Sequence, residues 1–376
     1  MRLREELGRL GLRIVFYPKF KFKFAYHNFD PKRKEPYFLV GNHASLYDPL
    51  YVGMNLKHYP YPVAANLLYT QPLMRFALTK IVTSIPKRKG QSDIQTIRSI
   101  LKAFKEDKRG IMIFPEGNSS YFGEETPTDF QSTAKLVKKV GEDLVYARIS
   151  GGYLASPRWG KFRKKGHFQI DYELLMSKEQ IIEASLEQIE QVLSDAIKFN
   201  DYDWNRKEKI IYRSNQKAIG LESYLYYCPI CHHSQTIETD KNDIYCHECG
   251  KIATINDYEF LEGLPFDNLV AWDHLQKEAL RNILKEPVYS SGELLEIDFK
   301  KNKRISLGLS KLELIHQSLH IKTKNVEFSF PVKEIEGIVL TQKQYISFDV
   351  NNITYLLKLK DCKLFLDAIT YLKENN

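Results

Sequence analysis

The sequence of 376 residues lacks any apolar run long enough to cross a bilayer. The longest runs, such as residues 111–114, have the length of a β-strand, far below the roughly 18 residues that a membrane-spanning helix requires. Arg and Glu interrupt the first dozen residues, which argues against the apolar core of a signal peptide. Any use of a membrane is therefore expected at its surface, without a transmembrane helix.

Cysteine is also scarce, and its spacing argues against a disulfide framework. Four of the five cysteines form two Cys-x-x-Cys pairs, Cys228 with Cys231 and Cys246 with Cys249. The linker between the pairs is long enough for a hairpin to bring four thiolates around one Zn²⁺. Four protein ligands would close the site, so structural zinc is predicted, with iron or a redox pair as alternatives. The pattern also favours a reducing compartment, and hence the cytoplasm.

Acidic residues are few at the start of the chain. Residues 1–34 contain ten Lys/Arg and three Asp/Glu, whereas the formal net charge of the whole chain is +8. Residues 2–15 place leucines on one helical face, and residues 19–24 alternate Lys with Phe at strand period. One interpretation is a basic amphipathic segment on an anionic membrane surface. The other is a helix packed on the core and followed by an edge strand.

The remaining patterns predict three further segments. Residues 35–222 alternate strand and helix signals, which indicates an α/β domain with a mixed sheet flanked by helices. Strands are predicted at 37–40, 62–65, 81–85, 111–114, 144–149 and 168–174, and helices at 93–107 (with Ser92 as N-cap), 129–140 and 178–198. A zinc-ribbon-like module is predicted at 223–256. Residues 288–376 predict a β-rich module with eight short strands, two of them at 304–308 and 311–316, and one terminal helix, similar in element order to pleckstrin-homology and GRAM domains.

A histidine and an aspartate follow the first strand of the α/β domain, in Gly41-Asn42-His43-Ala44-Ser45-Leu46-Tyr47-Asp48-Pro49. Residues five apart on a helix point about 140° apart, so His43 and Asp48 would not meet there. Pro49 favours a helix start, which predicts a loop over 42–48 with Asp48 as N-cap. In that loop the pair can take a proton from a hydroxyl. The alternative is that Asp48 only caps a helix.

A second motif, Phe114-Pro115-Glu116-Gly117, follows the predicted strand 111–114. Its Pro and Gly predict a turn that places Glu116 at the strand end. A carboxylate there can accept hydrogen bonds from polyol hydroxyls.

Together the two motifs resemble those of the glycerolipid acyltransferases, above all the 1-acylglycerol-3-phosphate type, over about residues 35–160. The resemblance implies a glycerol-3-phosphate acyltransferase-like fold. It implies that His43 removes the proton of a lysophospholipid hydroxyl while Asp48 orients the imidazole. Acyl-CoA or acyl carrier protein would donate the acyl group, and no acyl-enzyme is expected. Such an enzyme would be peripheral, on the inner face of the membrane.

The resemblance also implies a set of substrate-binding residues. They are Asn42, Glu116, Gly117 and Arg88, with Lys87 beside the arginine that would contact the acceptor phosphate. The alternative for residues 85–90 is a solvated basic turn.

Two features leave the acceptor open. Ser119 stands where the family usually has arginine, and residues 144–152 lack the proline that the family usually has in that strand. Arg148 is a candidate to replace the missing charge. The basic run 161–165 is predicted to add a lipid-facing surface. A competing hypothesis is a catalytically inactive zinc-ribbon protein that binds membrane or nucleic acid. The intact His43, Asp48 and Glu116 argue against it.

Overall fold

The chain folds into two compact units. The computed structural model describes residues 2–18, 20–87 and 94–375. The first unit comprises residues 1–157 and 165–212, and the second comprises residues 158–164 and 213–376. The short segment 158–164 thus joins the second unit before the chain returns to the first. No helix in the described part of the chain has the length and hydropathy to cross a bilayer.

The first unit contains seven described strands and nine described helices. The strands are β1 (Lys21–His27), β2 (Phe38–Gly41), β3 (Tyr61–Ala65), β4 (Ile85–Lys87), β5 (Ile111–Ile113), β6 (Leu144–Ser150) and β7 (His167–Met176). The helices are α1 (Arg2–Phe16), α2 (Asp48–Gly53), α3 (Pro72–Phe76), α4 (Ile94–Lys105), α5 (Gln131–Val140), α6 (Gly152–Ala155), α7 (Lys178–Glu183), α8 (Leu186–Ile197) and α9 (Asp201–Glu208). A 3₁₀ helix (Asn66–Thr70) and a π-helical turn (Ala77–Ile81) flank α3.

These strands form one mixed sheet in the order β1-β7-β6-β2-β5-β3-β4, which confirms the predicted fold class. Strands β6, β2, β5, β3 and β4 are parallel to one another, so their carboxyl ends meet at one edge, called here the C-terminal edge. Strand β7 runs antiparallel to β6 and parallel to β1. The start of β1 therefore lies at the C-terminal edge as well.

The core lies between the sheet and helices α4, α5 and α8. Strand β2 is buried at every residue, as expected for a parallel strand covered on both faces. Phe38 and Tyr146 from the sheet belong to one buried cluster with Phe104, Val137 and Leu193 from the three helices. Removing these apolar side chains from water is the main stabilising contribution to such a core.

Several predicted elements have different bounds in the structure. Residues 77–81 form the π-helical turn and β4 begins only at Ile85, so the strand predicted at 81–85 is wrong. The helix predicted at 178–198 is two helices, because Ser177 and Ser185 each form a capping box with the glutamine three residues later. Ser92, the expected N-cap of α4, lies outside the described residues.

The second unit contains two β-sheets and two α-helices among its described residues. The first sheet has the order β11-β10-β9-β8, formed by β8 (Ile237–Asp240), β9 (Asp243–Cys246), β10 (Gly250–Ile255) and β11 (Leu261–Glu262). Helix α10 (Leu269–Ile283) follows. The second sheet has the order β15-β14-β13-β12-β18-β17-β16, formed by β12 (Val288–Asp298), β13 (Lys303–Ile315), β14 (Ser318–Thr323), β15 (Glu327–Pro331), β16 (Glu336–Thr341), β17 (Tyr345–Val350) and β18 (Ile353–Leu359). Helix α11 (Cys362–Glu374) ends the unit, so the β-rich module with one terminal helix is confirmed.

The segment 158–164 belongs to the second unit, and two of its basic side chains, Arg158 and Lys164, are buried there. Lys164 is therefore not part of the lipid-facing surface predicted for the basic run 161–165, whereas the other four residues of the run are exposed and the surface remains a prediction for them. The guanidinium of Arg158 donates to the carbonyl oxygens of Leu340 and Gln342. The ammonium of Lys164 forms an ion pair with Glu259, and both side chains are almost fully buried. Buried charges of this kind require partners, so Arg158 and Lys164 have structural roles.

Gly110 allows β5 to approach the residue that precedes β2. A Cβ at Gly110 would lie 2.4 Å from the carbonyl oxygen of Tyr37. We predict that Gly110→Ala lowers the free energy of unfolding by about 1–3 kcal/mol, because backbone must move to relieve this clash. The matched control is Gly11→Ala in α1, where a Cβ meets nothing within 4 Å. Chemical denaturation measures both, and equal stabilities for the two variants would contradict the prediction.

Candidate active site and metal centre

His43 and Asp48 meet in the loop that follows β2 at the C-terminal edge. His43 Nδ1 lies 2.9 Å from Asp48 Oδ2. The same carboxylate accepts hydrogen bonds from the backbone N–H and the hydroxyl of Ser45. Helix α2 begins at Asp48 itself, and Tyr47 occupies the N-cap position. The predicted N-cap role of Asp48 is therefore wrong, because its carboxylate turns back into the loop.

The contact with Asp48 uses one nitrogen of the His43 imidazole and leaves the other, Nε2. Asp48 is fully buried, whereas the side chain of His43 is 15% exposed. A carboxylate only accepts hydrogen bonds, so Nδ1 carries the proton and Nε2 presents its lone pair. The His43 ring packs against Phe114, with centroids 4.7 Å apart. The imidazole of His43 therefore lies between the two motifs.

The loop after β5 holds the backbone of His43 on both sides. Glu116 Oε1 accepts the N–H of His43 at 2.7 Å, and the N–H of Ser120 donates to the carbonyl of His43 at 2.6 Å. Because β2 and β5 are adjacent parallel strands, both loops emerge at the same place. The structure thus brings the Glu116 carboxylate to His43, and the contact is with the backbone N–H of His43.

Both carboxylate oxygens of Glu116 bind protein amides. Oε2 accepts the N–H of Thr126 at 2.7 Å. Burial raises the pKa of Glu116 to about 8, while the amides of Thr126 and His43 act in the opposite direction. These contacts give Glu116 a positioning role, and the hydroxyl-binding role expected from its motif remains a prediction. Gly117 has a φ of 69°, and its N–H donates to the carbonyl of Phe114, so glycine suits this turn.

Asn42 fastens the loop to β6. Its side chain is fully buried, and its amide group donates to the carbonyl and accepts from the N–H of Ile149, both at 2.8 Å. Arg148 points to helix α8, where its guanidinium donates to the carbonyls of Ala196 and Lys198. The contacts of both side chains are with protein, so their substrate-binding roles remain predictions.

Asp201 supports the site, although no sequence motif indicated it. Its carboxylate accepts the N–H groups of Gly151 and Tyr153, and its own N–H donates to the carbonyl of Gly123 in the Glu116 loop. Gly152 packs so closely beneath the His43 loop that a Cβ would lie 3.0 Å from that of Ala44. Burial raises the pKa of Asp201 to about 7. Asp201 thus links residues 151–153, which pack against the His43 loop, to the Glu116 loop, which holds the backbone of His43.

The basic residues predicted to bind phosphate are Lys87 and Arg88. Lys87 is the last residue of β4 and is exposed, so it lies at the C-terminal edge that carries His43. Arg88 lies outside the described residues. Ser119 is buried in the Glu116 loop.

Four cysteines of the second unit form a candidate metal centre. The Sγ atoms of Cys228, Cys231, Cys246 and Cys249 all lie within 4.8 Å of one another. The Cys231–Cys246 and Cys228–Cys249 separations are 3.6 and 4.0 Å. Tetrahedral Zn²⁺ with bonds of about 2.3 Å requires sulfur atoms about 3.8 Å apart, so the set fits zinc.

Two of the three histidines beside the thiolates contact other side chains. His247 Nε2 lies 2.9 Å from Glu238 Oε1, and His232 Nδ1 lies 2.9 Å from the hydroxyl of Tyr227. Gly250, which follows the second pair, has a φ of 72°. The four thiolates are therefore sufficient as a ligand set.

Two known proteins are similar to parts of this chain. A 1-acyl-sn-glycerol-3-phosphate acyltransferase of Saccharomyces cerevisiae is 28% identical over 134 residues, which are 35% of this chain and 44% of the yeast protein. The chain thus matches less than half the length of this curated relative. The crystal structure of the 1-acyl-sn-glycerophosphate acyltransferase of Thermotoga maritima has a TM-score of 0.42 and 15% identity, covering 55% of this chain and 78% of that chain.

The model of the Acyltransferase family matches residues 23–170. This range contains the sheet from β1 to the start of β7, both motifs, and all the contacts that hold the backbone of His43. Residues 23–170 are therefore similar to the Acyltransferase family, and this range covers less than half of the chain.

Proposed function

We propose that this protein transfers a fatty acyl group from an acyl thioester to the free hydroxyl of a lysophospholipid, with 1-acylglycerol-3-phosphate as the favoured acceptor. The observation that carries the proposal is the His43–Asp48 hydrogen bond of 2.9 Å within the range that is similar to the Acyltransferase family. The yeast relative, named a 1-acyl-sn-glycerol-3-phosphate acyltransferase, supports the choice of acceptor.

The proposed reaction uses His43 as general base. Its Nε2 takes the proton of the lysophospholipid hydroxyl while the oxygen attacks the thioester carbonyl. Asp48 holds the ring through Nδ1 and stabilises the imidazolium that forms. When the tetrahedral adduct collapses, the carbon–sulfur bond breaks and the imidazolium returns the proton to the leaving thiolate. The ester bond is then complete, and no acyl-enzyme is needed. Coenzyme A or acyl carrier protein is the proposed carrier.

Basic residues at the C-terminal edge would bind the acceptor phosphate. Lys87 is exposed there, and Arg88 follows it in the sequence. A guanidinium offers a fork of donors that suits a phosphate monoester. We further propose that the enzyme works at the inner face of an anionic membrane, with α1 at the surface. The competing hypothesis, an inactive binding protein, is disfavoured because the His43–Asp48 pair is intact and held by Glu116.

Substitution of the base tests the reaction. His43→Ala should lower kcat by a factor of about 10²–10⁴, the usual contribution of a general base. Initial rates with 1-acylglycerol-3-phosphate and labelled acyl-CoA or acyl carrier protein measure this. The matched control is His27→Ala, because His27 is exposed at the end of β1. Full activity of the His43 variant would overturn the mechanism, and a wild-type protein inactive on lysophospholipids would favour the competing hypothesis.

Glu116→Gln separates positioning from substrate binding. The Glu116 carboxylate accepts hydrogen bonds from the backbone N–H groups of His43 and Thr126. A glutamine side chain has only one oxygen, so its NH₂ group would face one of these two donors. An unsatisfied buried donor costs about 1–3 kcal/mol, so we expect kcat to fall about 10- to 100-fold while KM for the lysophospholipid changes little. The converse result, a raised KM with unchanged kcat, would assign Glu116 to substrate binding.

We propose that the four-cysteine centre holds a structural zinc ion, since four thiolates leave no open coordination position. Elemental analysis of the purified protein should find one zinc per chain. Cys246→Ser should remove the metal and lower the melting temperature, because metal binding contributes folding free energy. Cys362→Ser is the control, since this thiol lies in α11 and donates to the carbonyl of Ser223. Retention of full zinc by Cys246→Ser would contradict the assignment.

A further inference from the structure

Large apolar side chains are exposed in the connection between β3 and β4. Helix α3 presents Leu73, which is 83% exposed, and Phe76, which is 58% exposed. The π-helical turn that follows ends in exposed Ile81. Single apolar residues on a surface are ordinary, but a group of them indicates an interaction site.

Helix α1 extends this surface. A Cβ on Gly8 of α1 would lie 3.4 Å from Cγ2 of Ile81, so the two segments are in contact. Leu7, Leu10 and Ile14 of α1 are each more than half exposed. We call these side chains together the apolar rim; its members are Leu7, Leu10, Ile14, Leu73, Phe76 and Ile81.

The apolar rim adjoins the candidate active site. Helix α3 lies beyond the carboxyl end of β3, and α1 precedes the start of β1, and both strand ends lie at the C-terminal edge. The guanidinium of Arg13 in α1 donates to the carbonyl of Met54 at 3.2 Å and to Asn55 Oδ1 at 3.1 Å. These bonds tie α1 to the end of α2, the helix that begins at Asp48.

The charged residues around the apolar rim are mostly basic. Residues 49–92 contain six Lys/Arg and no Asp/Glu. The first 92 residues together contain 16 Lys/Arg and 5 Asp/Glu, so the rest of the chain has a net negative charge. Arg75 and Lys80 are exposed beside the apolar residues. Apolar groups with flanking cations fit a leaflet of anionic lipid, in which acyl chains lie beneath negative headgroups.

We infer that the apolar rim inserts into an anionic leaflet and holds the C-terminal edge against it. The inference rests on the proposed function, because it explains how an acceptor that resides in the bilayer reaches His43. A lysophospholipid at such an edge moves laterally to the base without its acyl chain crossing water. Helix α3 is then a second insertion element, beside the amphipathic N-terminal helix.

Two independent measurements test the inference. Sedimentation with phosphatidylcholine vesicles, with and without phosphatidylglycerol, measures binding and needs no catalysis. Activity on long-chain lysophosphatidate in vesicles is then divided by activity on monomeric short-chain lysophosphatidate. The variants are Leu73→Asp with Phe76→Asp, and Arg75→Gln with Lys80→Gln. Ile182→Asp is the matched control, because Ile182 is 67% exposed on α7.

Leu73→Asp with Phe76→Asp should weaken vesicle binding at least about tenfold and lower the activity ratio similarly, since each buried apolar side chain adds to interfacial affinity. Arg75→Gln with Lys80→Gln should weaken only the binding that depends on phosphatidylglycerol. Ile182→Asp should change neither. Wild-type binding by Leu73→Asp with Phe76→Asp would overturn the inference, as would equal binding of the wild type to neutral and anionic vesicles. If the wild type binds vesicles but lacks activity on both substrates, the proposed function fails while the lipid surface stands.

Discussion

The main chain of His43 is held by one carboxylate and one amide from a neighbouring loop, and the rest of the candidate site depends on this double contact. It exists because β2 and β5 are adjacent and parallel, so the residues that follow them meet at one edge. Glu116 and Ser120 then fix the peptide groups on either side of the imidazole. In the proposed reaction Asp48 would only have to orient the ring, because an imidazole whose backbone is already held loses little entropy when it acts as a base.

Much of this site could be predicted from two short motifs, because each combines a chemical group with a residue that ends a strand or starts a helix. Pro49 correctly indicated a loop before α2, but it could not indicate the direction of the Asp48 side chain. The N-cap amides compete for that carboxylate with Ser45 and His43, and only the folded loop decides between them. The same limit applies to Arg148, whose partners at the end of α8 are distant in sequence.

Most strands of the C-terminal sheet could be predicted from the sequence, because the alternation of buried and exposed residues along a strand is a local property. Where two strands were predicted over residues 304–316, the structure has the single strand β13, with Gly308 at a φ of 105° next to an irregularity in its pairing with β12. The strand prediction ended at Gly308, but in the structure this glycine lies next to a β-bulge within one continuous strand. Asp201 gave no local signal at all, since its role arises from contacts with segments 48 and 78 residues earlier in the chain.

Because residues 158–164 belong to the second unit, no single division of the sequence separates the two units. During synthesis, Arg158 and Lys164 leave the ribosome long before Leu340 and Glu259, the groups that will neutralise or bind them. Until then a guanidinium, an ammonium and the indole of Trp159 remain in water within a loop whose two ends already belong to the first unit. Truncation near residue 212 would leave that loop permanently without its burial site. Residues 158–164 are therefore expected to reach their folded positions only after residues 213–376 have been made, so a folding step that begins before the middle of the sequence is completed by strands near residue 340.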